Sequence, residues 1–304
     1  MSRFSFGLSA LLVLFPTTAA CVLTEHYLCK ISNRETTVGD WSAVITGLLL
    51  GLTLPPSFPL WMAFVGGGIA IALGKFIFGG LGYNVFNPAL VGRAVLQAAF
   101  PAAITTWFPA FAEDRFSSLP ASTLTFPFME PAALDAVTAA TPLSAFKFDG
   151  IVADTSQLAL GIVSGSTGET CAVLIILGGI YLAARKMLNW RIPVAVLLTV
   201  SVLSGILYLI DSQAYPSPLF MLFSGGLMLG AVFMATDMVA SPATPAGVWV
   251  YGALIGLITV VIRIWGGLPE GVMYAILLAN ALSPHIDNMI RPRVYGTSKS
   301  TTLV

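Results

Sequence analysis

Apolar residues run along this chain in long blocks separated by short polar pieces. Blocks of spanning or half-spanning length lie near 5–29, 42–55, 59–79, 85–103, 169–186, 192–210, 217–237, 244–266 and 269–287. A helix needs about 20 mostly apolar residues to cross a bilayer core. The pattern therefore predicts an all-α polytopic membrane protein with nine helices. The second block is short and ends at Pro55-Pro56. Proline cannot continue a helix, and such breaks are tolerated in membranes where protein surrounds them. A broken helix is expected there.

Residues 104–168 form the one long polar interlude. Its acids are Glu113, Asp114, Glu130, Asp135, Asp149 and Asp154, against the bases Arg115 and Lys147. Basic residues gather elsewhere: Arg185, Lys186 and Arg191 in one short loop, Arg291, Arg293 and Lys299 in the tail, Lys30 and Arg34 before the second block. Loops rich in Lys and Arg stay cytoplasmic. Counting helices from the 185–191 loop puts the C-terminus and 30–41 inside, 104–168 outside and Met1 outside. The expected organisation is a first transmembrane repeat over 1–103, an extracytoplasmic stretch over 104–168, a second repeat over 169–287 and a cytoplasmic tail over 288–304.

The repeat has its own signature. Gly79-Gly80-Leu81 returns as Gly266-Gly267-Leu268, an offset of 187 residues. At that offset Val85 matches Val272, Ala94 matches Ala281 and Pro55 matches Pro242. Segments 59–79 and 244–266 run in opposite directions across the membrane, as do 85–103 and 269–287. These are the marks of an inverted-topology repeat, which places ligands near the interface of its halves. The counterpart of 169–186 would begin before residue 1. Two repeats of about five helices are expected, the first helix of repeat one missing. Arg3 and the apolar run to Ala20-Cys21 imitate a signal peptide, but the run continues to Leu28, long enough to span.

Composition agrees. The chain of 304 residues is 57% apolar and only 9% charged, with a mean hydropathy of +0.88. Soluble domains carry about 25% charged residues. Net charge is zero, so nothing points to nucleic acid. Cys21, Cys29 and Cys171 are scattered, without metal-ligand spacing. His26 and His285 are too few for a haem-rich carrier.

The most distinctive string is Phe78-Gly-Gly-Leu-Gly-Tyr-Asn84-Val-Phe-Asn87-Pro88-Ala-Leu-Val-Gly-Arg93. Asn84 and Asn87 offer amides at a helix start, and Pro88 suits the first turn. Arg93, in the helix, is a costly charge at membrane depth unless it finds a partner. It is read either as part of a polar pocket or as a snorkelling residue. Glu25, Lys75, Asp211, Asp237 and Arg263 lie near helix ends, where interface solvation is the expected role for each taken singly. Asn280 fits a buried hydrogen bond to a cofactor and helix packing equally. Trp107 and Phe108 fit an interface belt.

Within the interlude stands Asp135-Ala-Val-Thr138-Ala-Ala140-Thr141-Pro. Asp-x-x-Thr-x-Ala-Thr resembles the flavinylation motif of the RnfD/NqrB family, with Ala139 where glycine is common. The Phe78–Arg93 string resembles that family's signature. So do Thr24-Glu25, Gly39-Asp-Trp-Ser-Ala-Val-Ile-Thr46-Gly47, Thr53-Leu-Pro-Pro56 and Leu278-Ala-Asn280-Ala-Leu-Ser-Pro284-His-Ile-Asp287, in order over essentially the whole chain.

The resemblance implies a ten-helix membrane subunit of an Rnf-type complex, which passes electrons between ferredoxin and NAD and moves Na⁺ or H⁺. It implies FMN joined to Thr141 by a phosphodiester bond, with Asp135, Thr138 and Ala140 around it. It also implies a second, non-covalent flavin such as riboflavin near the inner side. Asn84, Asn87, Arg93 and Asn280 are candidate flavin contacts, assigned to neither flavin in particular. Implied partners are sister subunits and a flavin transferase, and the implied location is the cell inner membrane. The redox chemistry belongs to the cofactor, so no acid-base residue is expected. Two other roles fit: an NqrB-like subunit of a Na⁺-translocating NADH:quinone oxidoreductase, and a urea-transporter-like solute channel.

Overall fold

The computed structural model describes residues 6–107, 111, 116, 121–127, 129, 140–169 and 171–291. Phe108, Asp135 and Thr138 lie outside the described residues. Among those described, all regular structure is helical. The helices are α1 Leu8–Ile31, α2 Ser42–Thr53, α3 Leu60–Ile71 with a wider turn over Ala72–Phe76, α4 Pro88–Ala99 and α5 Pro101–Thr105. Next come α6 Pro142–Ser144, widening over Ala145–Asp149, then α7 Thr155–Leu160, α8 Ala172–Ala184 and α9 Arg191–Ile210. The chain continues with α10 Pro218–Phe223, α11 Leu227–Leu229 widening over Gly230–Met234, α12 Pro245–Trp265 and α13 Val272–Met289.

Four helix starts share one local grammar. Asn87, Thr141, Ser217 and Thr244 each precede a proline at the first helical position, and each side chain accepts a backbone N–H of the first turn. The cap satisfies a donor that the helix leaves orphaned, and proline has none there to lose.

Among the described residues three helices, α1, α9 and α12, are long and apolar enough to cross a membrane, and this is a membrane protein. The expected break at Pro55 is present. α2 stops at Thr53, and Leu54, placed before proline, is extended with ψ 152°. The block over 217–237, expected as one helix, is two short pieces parted at Ser224-Gly225-Gly226. Gly225 adopts φ 61°, which no helix interior allows. The block over 85–103 is interrupted too: Pro101 cannot donate, and Phe100 before it leaves helical geometry at φ −132°.

Packing falls into two groups. α1 packs on α2 and α3, and α3 on α4; α9 packs on α10 and α12, and α12 on α13. α13 meets α4 where the groups join. Glycine permits the closest approaches. A Cβ on Gly67 of α3 would stand 2.5 Å from the Thr17 carbonyl oxygen of α1, and one on Gly252 of α12 would stand 2.6 Å from Ala195 Cβ of α9.

Residues 142–160 of the interlude are docked against the helices. Leu143 of α6 and Leu158 of α7 bury with Phe220 of α10. Phe146 meets Phe220 at a ring distance of 5.6 Å. Lys147 Nζ donates to the carbonyls of Arg263 at 3.1 Å and Leu268 at 2.9 Å, and to that of Gly266, so it caps the end of α12. A cation suits the negative end of a helix.

Candidate functional site

The break after α2 leaves backbone carbonyls that lipid could not satisfy. Residues 166–169 cross that end and supply donors. Gly168 N–H bonds the Leu52 carbonyl at 2.8 Å, Thr167 N–H the Leu54 carbonyl at 3.2 Å, and the Thr167 hydroxyl the Gly51 carbonyl at 2.9 Å. Gly168 has no room for a side chain, since a Cβ would lie 2.6 Å from Leu52 Cβ. This seam carries Glu169 into the interior, where Ser166 donates to its Oε2 at 2.7 Å.

Arg93 of α4 meets Glu169 there. Its Nη1 lies 3.1 Å from Glu169 Oε1 and also bonds the Thr53 carbonyl; its Nη2 lies 2.8 Å from Glu270 Oε2. Arg93 is 5% exposed. The snorkelling role is therefore excluded, and the partner that membrane depth demands is a pair of carboxylates. Arg263 of α12 treats the second break alike, donating to the carbonyls of Met221 and Ser224. Its Nη2 and Glu270 Oε1 converge on Gly225, 3.4 and 3.5 Å from where a Cβ would stand. The absent side chain at Gly226 leaves room for the Glu169 carboxylate.

Thr141 sits on this cluster. With Glu169, Glu270, Phe223 and Gly225 it lines a cavity of about 20 Å³, roughly the size of one water molecule. On its other side is a cavity of about 270 Å³, lined by Arg93, Gln97, Trp107, Thr141, Ser144, Phe148 and Glu270 among others. The Thr141 residue is 4% exposed. Its hydroxyl contacts Ser144 Oγ at 2.8 Å and accepts Ser144 N–H at 3.2 Å. The exposed hydroxyl that a modification site calls for is instead used as the cap of α6. Ala140 beside it is exposed. Burial pushes the Lys147 amine below the ordinary lysine value.

Asn84 and Asn87 lie at the other end of α4. Asn87 caps it, its Oδ1 accepting Ala89 N–H at 3.0 Å, and its Nδ2 donates to the Met234 carbonyl at 3.2 Å. Asn84 Nδ2 donates to Asp237 at 3.1 Å and to the Phe86 carbonyl at 3.2 Å. Both border a cavity of about 300 Å³ with Ser42, Thr46, Lys75, Phe233 and Asp237 in its wall. A small cavity beside Leu90, Arg93, Glu169 and Met234 lies between the two ends. Asn87, Leu90, Arg93 and Gln97 recur along α4 at intervals that keep them near one face.

Lys75 and Glu25 correct the expectation of solvated helix ends. They pair at 2.6 Å with side chains 4% and 3% exposed, and Lys75 also donates to Ser42 Oγ at 2.6 Å. Arg263 is buried as well. Asp211 is exposed, as expected. Asn280 Oδ1 accepts the Tyr251 hydroxyl at 2.6 Å, which ties α13 to α12. Its amide nitrogen is buried without a partner. A further cavity of about 350 Å³, between Pro59, Met62, Phe100 and Ala103, is lined mainly by apolar side chains and, among the described residues, by no charged group.

Sequence reasoning missed Glu169 and Glu270. Acids at the edges of apolar blocks were the available signal, since a carboxylate there needs a partner.

Broken helices, carbonyl ends held by buried arginines and a charge cluster at depth define a polytopic membrane protein built around an internal site. The model of the NQR2, RnfD, RnfE family matches residues 1–296, and the chain belongs to that family. It is 42% identical over 306 residues to the D subunit of the proton-translocating ferredoxin:NAD(+) oxidoreductase complex of Clostridium ljungdahlii, covering 97% of this chain and 87% of that one. The D subunit of the Na(+)-translocating ferredoxin:NAD(+) oxidoreductase complex of Acetobacterium woodii is 40% identical over 303 residues, covering 98% and 86%. The D subunit of the ion-translocating oxidoreductase complex of Stutzerimonas stutzeri is 39% identical over 306 residues, covering 96% and 86%.

Proposed function

We propose that this chain is the membrane electron-transfer subunit of an Rnf-type complex in the cell inner membrane, carrying FMN on Thr141 by a phosphodiester bond. The complex couples electron flow between ferredoxin and NAD to movement of Na⁺ or H⁺. The observation that carries this reading is the cavity beside Thr141, whose hydroxyl has to leave its cap on α6 to be modified. The last residue of the Asp-x-x-Thr-x-Ala-Thr string borders a cavity of about 270 Å³ with an arginine, hydroxyls and the aromatic rings of Trp107 and Phe148 in its wall. Such a mixture of polar and aromatic groups suits a flavin, whose flat ring stacks on aromatic side chains and, like its tail, carries polar atoms. Relatives named as D subunits of ferredoxin:NAD(+) oxidoreductases favour this role over the NADH:quinone one.

A second flavin, riboflavin, belongs in the cavity at the other end of α4. Asn84 and Asn87 supply amides there and Lys75 a positive charge. Arg93 lies between the two cavities, and Asn280, bonded to Tyr251, supports the helices behind it. When bound, the flavins supply the redox chemistry. The chain's own residues hold them apart at the two ends of one helix.

The architecture we propose is the inverted repeat. α1, α2, α3 and α4 pack in the same order as α9, α10, α12 and α13, which supports it. Lys75 near the end of α3 and Arg263 near the end of α12 are related by almost the same offset, and each is buried. In this arrangement the Thr141 cavity is extracytoplasmic, and the Asn84 cavity and C-terminus are cytoplasmic. Sister subunits and a flavin transferase are the partners. Mass mapping of the tryptic peptide ending at Lys147 tests the proposal: the peptide carries the mass of an FMN phosphodiester on Thr141. An unmodified peptide from an active complex contradicts it.

A further inference from the structure

Besides tying the two helical groups together, two carboxylates line cavities that Thr141 also lines. Glu270 borders both cavities that Thr141 borders. Glu169 borders the smaller one. The cations nearby are committed. Arg93 divides its donors among Glu169, Glu270 and the Thr53 carbonyl, and Arg263 spends two of its own on the Met221 and Ser224 carbonyls. Two arginines face two glutamates, so the formal charges cancel. The carbonyl ends of α2 and α10 add partial negative charge to the same spot. The surroundings of Thr141 thus lean negative, in a setting where charges act strongly on one another.

A redox group held there gains negative charge on reduction. Each added electron meets two carboxylates and two helix ends, which opposes reduction unless a proton arrives with it. Glu270 has access to that proton: its side chain is 23% exposed, while Glu169 behind it is 7% exposed.

We infer that the Glu169–Arg93–Glu270 bridge sets the potential of the group carried on Thr141, and that Glu270 takes up a proton when that group accepts an electron. The inference rests on the proposed attachment at Thr141. One electron comes from a reduced flavin or other one-electron carrier of the complex. One proton comes from water on the Thr141 side and binds the Glu270 carboxylate, so the net charge of the cluster is unchanged. Arg93 then keeps its bond to Glu169. The charged and polar groups facing the pair are Arg93 from α4, Arg263 from α12, Ser166 from the seam and each carboxylate for the other.

The test is a spectroelectrochemical titration of the full-length, flavin-loaded chain at several pH values, for wild type, Glu270→Gln and Glu169→Gln. Glutamine keeps an acceptor for Arg93 and removes the charge. Denaturing-gel flavin fluorescence is read first, and a dark wild-type band fails the attachment itself rather than this inference. With the band present, the expected result has two parts. Above neutral pH, Glu270→Gln makes reduction at least tenfold more favourable, a rise of about 59 mV for one electron. Its potential also changes less steeply with pH than the wild-type one. Glu169→Gln shifts in the same direction. Superimposable wild-type and variant curves, or a wild-type potential independent of pH, overturn the inference. If Glu270→Gln carries no flavin, Glu169→Gln is read in its place: a potential raised above the wild-type one supports the inference, and a curve superimposable on wild type overturns it.

Discussion

Arg93 and Glu270 stand 2.8 Å apart although 177 residues separate them in the chain. α4 carries the arginine and the turn before α13 carries the glutamate, so this bond ties the two helical groups together at depth. Removing Arg93 leaves Glu169 buried with Ser166 as its remaining partner. Arg93→Ala is expected to destabilise by about 3–5 kcal/mol, the usual cost of orphaning a buried charge. Arg93→Lys loses most of this too, because an ammonium cannot span two carboxylates and a carbonyl in one plane. Thermal unfolding in detergent, followed by size-exclusion chromatography, checks both.

Lys75 and Glu25 give a cleaner separation of pair from partner. Lys75→Met or Glu25→Leu alone leaves one buried charge unpaired and lowers the unfolding temperature. The double variant is expected to be more stable than either single one, with a coupling of about 0.5–3 kcal/mol. Additive losses would contradict the pairing.

Lys147 clamps the segment bearing Thr141 to the end of α12. Lys147→Met keeps the stem and removes the donors, costing about 1.5–3 kcal/mol of local stability. Backbone hydrogen exchange over residues 142–160 is expected to speed up, while that of α9 and α12 stays unchanged.

Tyr251 and Asn280 share one buried hydrogen bond. Asn280→Leu strands the tyrosine hydroxyl and is expected to cost about 1–3 kcal/mol. Tyr251→Phe in the same background restores part of the loss, because both partners are then apolar. Unfolding midpoints of the two single variants and the double variant decide it.

Local signals were legible in the sequence. Asn87-Pro88 announced a capped helix start, and Pro55-Pro56 announced a break, because each effect acts within a few residues. Arg93 was legible as a charge in need of a partner. The partners were not: Glu169 and Glu270 reach it across 76 and 177 residues, and no local spacing encodes that. Lys75, Glu25 and Arg263 were misjudged for the same reason, since position near a helix end does not reveal what packs over it. The break at Ser224-Gly225-Gly226 hid inside an apolar block, where glycine serves packing as readily as it serves a turn. The motif singles out Thr141 as the proposed attachment point, while its burial and its cap on α6 follow from docking against α10 and α12.

The central claim is the covalent flavin, and in-gel fluorescence under denaturing conditions tests it most directly. Wild type and Thr141→Ala are expressed beside an active flavin transferase. A fluorescent wild-type band that disappears in Thr141→Ala is the predicted result. A dark wild-type band, with the transferase active on a control substrate, contradicts the account and favours a channel without a redox role.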